Sequence, residues 1–378
     1  MKKTLLLLVL FTSFLDAQVI YETVPSLNLS ETRQVKIQLP RNYESNKDKD
    51  YPVIVVLDAD YLFEPVAGNV DYYSYWEDMP QAIVVGIMQP DRMADTQYDE
   101  TNFLPVGEGK LFFDFIGNEL FPWLSKKYRL APFNLIIGHD ATAGFANYFL
   151  MKNPPLFNAY VSLSPDLAPQ MSERLTDILQ RTENKIFYYQ ATGSQDITPL
   201  RDATLALNTS LENIENTNIN YYFDNFEEAT HYTLAGRGIP SALEQIFSIY
   251  RPITKKEFEE QVLNAESPYA YLTEKYEIIE NLFGMNDRIR INDFIAIAAA
   301  LEKKSDWEGL EDLGKLARKE YPETVLGSYY LGKSYEGKGD TKKAMRTYES
   351  ALVLKSAGDI DKDVLMARAQ RIKDDFGY

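Results

Sequence analysis

The stretch that decides the fold of this 378-residue chain passes from a buried strand into a helix. It reads Leu135-Ile136-Ile137-Gly138-His139-Asp140-Ala141-Thr142-Ala143-Gly144. The apolar run before Gly138 predicts a strand covered on both faces. The small residues after Asp140 allow a helix backbone to lie very close to that strand. A residue at such a turn is held at positive φ, which Asp tolerates better than most residues. The stretch therefore predicts a strand–turn–helix elbow that presents Asp140.

Strand and helix patterns alternate on both sides of this elbow. Apolar or alternating runs predict strands at 34–39, 52–57, 82–87, 134–138, 159–163, 185–190 and 220–223. Amphipathic patterns predict helices at 110–128, 142–152 and 198–213. Pro122 lies inside the first of these helices and predicts a kink. Strands that alternate with helices are typical of an α/β domain with a mostly parallel sheet.

Residues 253–378 show only helical patterns. Leu331, Gly332, Tyr335, Ala344, Tyr348 and Ala351 have the spacing of a tetratricopeptide repeat. We predict an all-α domain with tetratricopeptide-like (TPR-like) repeats at about 291–324 and 325–358 and a capping helix at 362–373. A plain helical bundle is the alternative.

Composition excludes several kinds of site. The chain has no cysteine, which removes disulfides, thiolate nucleophiles and cysteine zinc sites. Its only two histidines, His139 and His231, cannot form a multi-histidine metal site within one chain. We therefore expect no metal and no cofactor. The net charge of -17 argues against a nucleic-acid partner, because phosphate binding needs clustered Lys and Arg.

The N-terminus has the features of an export signal. Lys2 and Lys3 precede a short apolar run, and the small residue Ala17 precedes Gln18. This pattern predicts a cleaved signal peptide at 1–17, and the run is too short to span a membrane comfortably. We expect a protein secreted across the inner membrane, periplasmic or extracellular, with an α/β domain at 18–252.

Further segments stand in a fixed order around the elbow. They are 51–60, 83–92 with Asp91-Arg92 at its end, 119–129, and Ser162-Leu163-Ser164-Pro165. In order and spacing, residues 22–250 resemble the putative esterase (esterase D-like) branch of the α/β-hydrolases. The resemblance implies an α/β-hydrolase fold whose pocket takes a small-molecule ester or polar ligand.

The resemblance also assigns site residues by position. Asp140 falls at the nucleophile position, Asp196 at the acid position and His231 at the base position. The oxyanion hole would use the backbone N–H of Ala141 and that of Ala59 or Asp60. Two positions depart from the family pattern, because Asp140 stands in place of Ser and Thr142 in place of the second Gly.

The first departure leaves three functions open. A carboxylate has no proton for histidine to remove, and its attack on an ester would form a high-energy anhydride. The leading hypothesis is therefore a pseudo-hydrolase that binds a ligand, with a protein or peptide partner on the TPR-like domain. An Asp140 nucleophile could instead attack saturated carbon. A third hypothesis is an ester hydrolase that uses His231 and Asp196 with water or another hydroxyl.

Smaller expectations concern the neighbours of these residues. We expect His139 to be structural. A further alternative for Asp140 is electrostatic, in which it forms an ion pair with His231 without turnover. Ser162 and Ser164 are candidate substitute hydroxyls, although no sequence feature places them beside His231.

Overall fold

The computed structural model describes residues 19–285 and 287–378. The predicted signal peptide lies outside the described residues. The strands are β1 Val19–Pro25, β2 Thr32–Gln38, β3 Tyr51–Val56, β4 Ile83–Ile87, β5 Leu130–His139, β6 Ala159–Leu163, β7 Ile186–Gln195 and β8 Ile219–Thr230. The helices are α1 Phe63–Tyr75, α2 Arg92–Asp95, α3 Gly107–Phe115, α4 Phe121–Lys127, α5 Ala141–Ala146, α6 Met171–Arg181, α7 Thr198–Leu211, α8 His231–Ile246, α9 Lys255–Glu257, α10 Pro268–Phe283, α11 Ile291–Lys303, α12 Trp307–Glu320, α13 Leu326–Gly337, α14 Thr341–Ser350 and α15 Lys362–Phe376.

The strands form one sheet in the order β1-β2-β4-β3-β5-β6-β7-β8. From β4 to β8 all neighbours are parallel, whereas β1 and β2 add an antiparallel edge. In the centre, Ile54 of β3 pairs with Val84 of β4 and Leu135 of β5. The carboxyl ends of six neighbouring parallel strands therefore meet at one edge, where ligand sites of α/β sheets form.

Helices cover both faces of the sheet, which explains why its central strands are continuously apolar. Phe112 of α3 and Leu175 of α6 belong to the core on one face. Phe63 of α1 and Leu234 of α8 belong to the core on the other. This second core also takes in Phe283 of α10, so α10 packs directly against the α/β region.

The C-terminal part is helical, as predicted. A third core joins α10 to α15, with Leu310, Tyr330 and Tyr348 among its buried residues. Each predicted repeat window holds two consecutive helices, and a helix is present where the cap was predicted. Gly332 lets α13 meet α14, because a Cβ there would lie 2.2 Å from the Tyr348 ring. The assignment of these helices to the TPR class stays a prediction.

The sequence patterns located seven of the eight strands. The edge strand β1 was not predicted, and β8 continues to Thr230 rather than ending at Phe223. The predicted helix at 110–128 is three consecutive segments, α3, a π-helical turn at Ile116–Leu120 and α4. Pro122 lies in the first turn of α4, directly after the π-helical turn, so the helix changes its hydrogen-bond pattern next to the residue that lacks an N–H. No helix in residues 19–285 and 287–378 is long and apolar enough to cross a membrane.

Candidate active site

The elbow forms where β5 enters α5. Asp140 has φ 59° and ψ −124°, a strained conformation for a residue with a side chain. Its N–H donates to the Leu163 carbonyl at 3.0 Å, which fixes the turn against β6. The flanking glycines are required by close approach, since a Cβ on Gly138 would lie 2.6 Å from the Ala143 nitrogen. A Cβ on Gly144 would lie 1.8 Å from the Asp166 carbonyl oxygen. The turn therefore holds the Asp140 side chain at the carboxyl edge of the sheet.

Asp196 and His231 follow the ends of β7 and β8, and the structure brings them together. His231 Nδ1 lies 2.9 Å from Asp196 Oδ1. His231 is the first residue of α8, whose start is fixed by a capping box between Thr230 and Thr233. The Asp196 side chain is fully buried, and its other oxygen accepts a hydrogen bond from the Thr192 hydroxyl at 2.8 Å. Because Nδ1 faces the carboxylate, Nε2 is the nitrogen left for a ligand.

Hydrogen bonds keep the Asp196 carboxyl ionised. Burial alone would raise its pKa, but hydrogen bonds from Ser164, His231 and Thr192 hold the pKa below its usual value. Ser164 Oγ lies 3.2 Å from His231 Nδ1. The hydroxyl thus sits on the Asp196 side of the ring and not at Nε2, where a substitute nucleophile would have to lie. The other candidate hydroxyl, that of Ser162, is buried within β6.

Asp140 is paired with an arginine that the sequence patterns did not single out as a site residue. Arg92 Nη1 lies 3.1 Å from Asp140 Oδ2. The same guanidinium donates to Asp58 at 2.7 and 3.3 Å and to the His139 carbonyl at 2.8 Å. The alternative ion pair of Asp140 with His231 is absent among the described residues, and Arg92 is the partner of Asp140 instead. The reason is topological, because Arg92 follows β4 and Asp58 follows β3, both at this edge of the sheet.

Thr142 uses its hydroxyl to join the elbow to the same network. The hydroxyl donates to Asp58 Oδ2 at 2.6 Å and accepts the His139 N–H at 3.0 Å. A glycine at this position could make neither bond. Threonine in place of the second Gly of the family pattern therefore provides a hydrogen bond to the Asp58 carboxylate beneath the elbow.

His139 is buried and neutral. Burial and the neighbouring His231 lower the pKa of His139 to about 4. Its Nε2 lies 3.1 Å from the His231 carbonyl, which can only accept, so Nε2 carries the proton. Nδ1 lies 3.0 Å from the Tyr61 hydroxyl, which is also 3.0 Å from Asp58 Oδ2 and has one proton to share between the two acceptors. The two imidazole rings lie 4.3 Å apart, and His139 supports the ring of His231 from below.

The sequence matches a known protein family over more than half of its length. Residues 26–233 match the protein family described as "Putative esterase". The chain belongs to this esterase family. No curated protein matches the sequence significantly.

Solved structures agree with the fold. An uncharacterised protein from Capnocytophaga ochracea is 32% identical, with a TM-score of 0.85 over 94% of this chain and all of its own. An IroE-like serine hydrolase from Shewanella oneidensis is 21% identical, with a TM-score of 0.62 over 79% of this chain and 98% of its own. The BES protein from Bacillus cereus is 20% identical, with a TM-score of 0.53 over 65% of this chain and 99% of its own. The predicted esterase family and α/β-hydrolase fold are confirmed.

The resemblance to the esterase family gave three backbone N–H groups as candidates for the oxyanion hole, and they are not equally free to bind a ligand. The Ala59 N–H donates to the Ile87 carbonyl at 3.4 Å and so serves the sheet. The N–H groups of Asp60 and Ala141 have no acceptor in the part of the chain that the structure describes. Ala141 opens α5, where an N–H at the first helical position is free to bind a ligand oxygen. Asp60 and Ala141 are therefore the pair suited to an oxyanion.

The rim of the site is apolar. Exposed apolar side chains directly follow four site residues: Tyr61 after Asp60, Met93 after Arg92, Ile197 after Asp196 and Tyr232 after His231. A cavity of about 280 Å³ adjoins Ala141, and its lining combines aromatic side chains, including those of Phe145 and Tyr148, with the carboxyl groups of Glu100 and Asp166. The site thus has a charged, hydrogen-bonded floor and a rim that suits an apolar ligand body.

Sequence reasoning missed Arg92, Asp58 and Tyr61 as parts of the site. The available pattern was their position, since each follows the end of a parallel strand. Arg92 stands in a segment that carried the family resemblance, but no role was attached to it. A cation that follows β4, such as Arg92, lies at the same sheet edge as the carboxylates that follow the neighbouring strands. That position would have predicted an ion pair between them.

Proposed function

We propose that this protein is a ligand-binding member of the esterase family that has lost serine-esterase chemistry. The observation that carries the proposal is the Asp140 carboxylate, which stands at the strained elbow residue and is paired with Arg92. The elbow is the position from which a serine would attack an ester. A paired carboxylate at this place offers charge and hydrogen-bond acceptors instead of a hydroxyl.

The ion pair also weakens Asp140 as a nucleophile. Arg92 stabilises the negative charge of the carboxylate. Nucleophilic attack would remove that charge and would therefore weaken the ion pair with Arg92. An ester attacked by this carboxylate would give an anhydride and expel an alkoxide, which is uphill. The Asp140 side chain is 26% exposed, so a ligand can reach the carboxylate.

The floor and the rim define the ligand that the site favours. His231 Nε2 and the N–H groups of Asp60 and Ala141 provide polar contacts. The aromatic and apolar rim provides contact area. We infer a small molecule with a polar head and an apolar or aromatic body.

One observation favours a second candidate. The Asp196–His231 pair is intact and buried, although a protein without turnover does not need it. His231 Nε2 could take a proton from water that attacks an ester held by Asp60 and Ala141. This alternative is a water-activating ester hydrolase.

Esterase assays on Asp140 variants separate the two. We expect wild type to hydrolyse p-nitrophenyl acetate at the background rate and Asp140→Ser to gain activity by about tenfold or more, since the base and the donors are in place. Asp140→Asn is the matched control, because it removes the same charge without supplying a nucleophile. The gain should disappear in Asp140→Ser/His231→Ala. Wild-type turnover that His231→Ala abolishes would overturn the proposal in favour of the water-activating hydrolase.

A further inference from the structure

A basic cleft lies in the C-terminal helices, away from the esterase site. It has a volume of about 740 Å³ and is lined by residues of α14, with Arg318 of α12 and Tyr378. Four cationic side chains line it, those of Arg318, Lys342, Lys343 and Arg346. The one acidic side chain in the lining is that of Asp340. The cleft therefore concentrates positive charge in a chain whose net charge is -17.

These four cations are uncompensated. In the described residues none of them forms an ion pair, whereas Lys338, one turn away, pairs with Glu311. Within the part of the chain that the structure describes, Arg318 donates only to the Ser328 hydroxyl, at 3.1 Å. The Lys343 ammonium lies 3.8 Å from the Tyr335 ring centroid and keeps its charge free for a ligand.

Hydroxyl side chains extend the same surface along α14. Thr347 and Ser350 line the cleft one and two turns beyond Lys343. The face from Lys342 to Ser350 spans about 12 Å at the rise of a helix. An extended chain of about four residues has the same length. The charges are thus spread along a line rather than directed at one point, as a single small anion would require.

We infer that this cleft binds an extended acidic segment of a partner protein. Carboxylates spaced along such a segment would meet Lys342, Lys343 and Arg346 in turn, with Arg318 on the opposite wall. The Thr347 and Ser350 hydroxyls donate within α14, to the carbonyls of Lys343 and Thr347, so their oxygens would accept from backbone N–H groups of the segment. The positive field of the cleft within a negative molecule also directs an acidic segment to this place and away from the rest of the surface. The inference does not depend on the proposed function of the esterase site.

Fluorescence anisotropy with the full-length mature protein tests it. The probe is a fluorescein-labelled hexaglutamate peptide, with hexaglutamine as the neutral comparison. We expect hexaglutamate to bind, to weaken when NaCl is raised from about 50 mM to about 500 mM, and to lose about tenfold or more in affinity in Lys343→Glu/Arg346→Glu. Lys342→Ala/Arg346→Ala keeps Lys343 on its tyrosine and should weaken binding by a smaller factor.

The matched control is Lys126→Glu/Lys303→Glu. It makes the same change in net charge at two exposed lysines outside the cleft that have no ion pair in the described residues, and it should bind like wild type. Equal loss in this control would mean that net charge, not the cleft, binds the peptide. Three results would overturn the inference. The first is that the folded wild type does not bind hexaglutamate at all. The second is that millimolar phosphate displaces the bound peptide, and the third is that a single-stranded oligonucleotide binds more strongly than the peptide.

Discussion

His139 illustrates how its surroundings decide the charge of one side chain. It is buried beside a second histidine and near two carboxylates, those of Asp58 and Asp140, and burial outweighs the carboxylates. The result is a neutral ring whose two nitrogens have distinct partners. Because the His139 ring is neutral, it can lie against the His231 ring without electrostatic repulsion.

The depressed pKa of His139 predicts an acid-sensitive stability. The pKa is near 6.5 in the unfolded chain and about 4 in the native state. The unfolded state therefore binds more protons between these values, and the free energy of unfolding falls as pH drops from about 6.5 to about 4. The full contribution is roughly 3 kcal/mol.

Urea unfolding at pH 7 and pH 4.5 measures this effect. His139→Gln should lose less stability over this interval than wild type, because Asp196 and the other carboxyls are unchanged. NMR titration should show one histidine that stays neutral down to about pH 4. An ordinary histidine titration for both rings would contradict the assignment.

At the scale of elements, the junction of β5 and α5 depends on two absent side chains. Gly138 brings α5 against its own strand, and Gly144 brings it against the loop after β6. The position of Asp140 is therefore set by backbone contacts on both sides. Any side chain at either glycine must move the helix that carries the free Ala141 N–H.

Gly144→Ala should destabilise the protein by about 2–3 kcal/mol, since the new methyl meets a backbone carbonyl that cannot turn away. Thermal or urea unfolding gives the value. Gly236→Ala is the matched control within α8, because nothing lies within 4 Å of its Cβ position. It should stabilise the helix by about 0.5–1 kcal/mol. Similar values for the two variants would show that the elbow is looser than described.

At the scale of the molecule, α10 ties the helical region to the sheet. The Phe283 ring lies 5.0 Å from that of Phe133 on β5 and 5.4 Å from that of Phe247 after α8. The side chain is fully buried in the core that also holds α1 and α8. The two regions therefore share apolar surface and stabilise each other.

Phe283→Ala should cost about 3–5 kcal/mol, the usual loss for a large aromatic residue in a core. Denaturant unfolding of the whole chain measures it. Phe376→Ala is the control, because Phe376 ends α15 with more than half of its surface exposed, and it should change stability by less than about 0.5 kcal/mol. A loss confined to the helical region, with the sheet unaffected, would contradict the shared core.

Much of the architecture is a local property of the sequence. Apolar runs such as 52–57 and 134–138 have the length and composition of covered strands, and small residues around Asp140 mark the elbow. The edge strand β1 was missed because one of its faces is exposed and its residues alternate weakly. The break at Ile116–Leu120 was missed because a π-turn keeps the apolar stripe of a helix.

The contacts within the site lie beyond the reach of local patterns. Arg92 is 48 residues from Asp140, and Ser164 is 67 residues from His231. Resemblance to the esterase family placed Asp196 and His231 at related positions, but it attached no role to Arg92. The roles of Asp140, Asp196, His231 and the oxyanion donors stay predictions until the assays are made.

The sequence by itself determined the fold class, the place of the elbow and the absence of a serine there, because these depend on residues adjacent in the chain. Only the tertiary structure decided that Asp140 pairs with Arg92, that His139 is neutral and that four cations of α12 and α14 share one cleft. The order of the strands and the packing of the helices set those distances. Charge and proton affinity depend on neighbours in space, and the linear pattern does not name them.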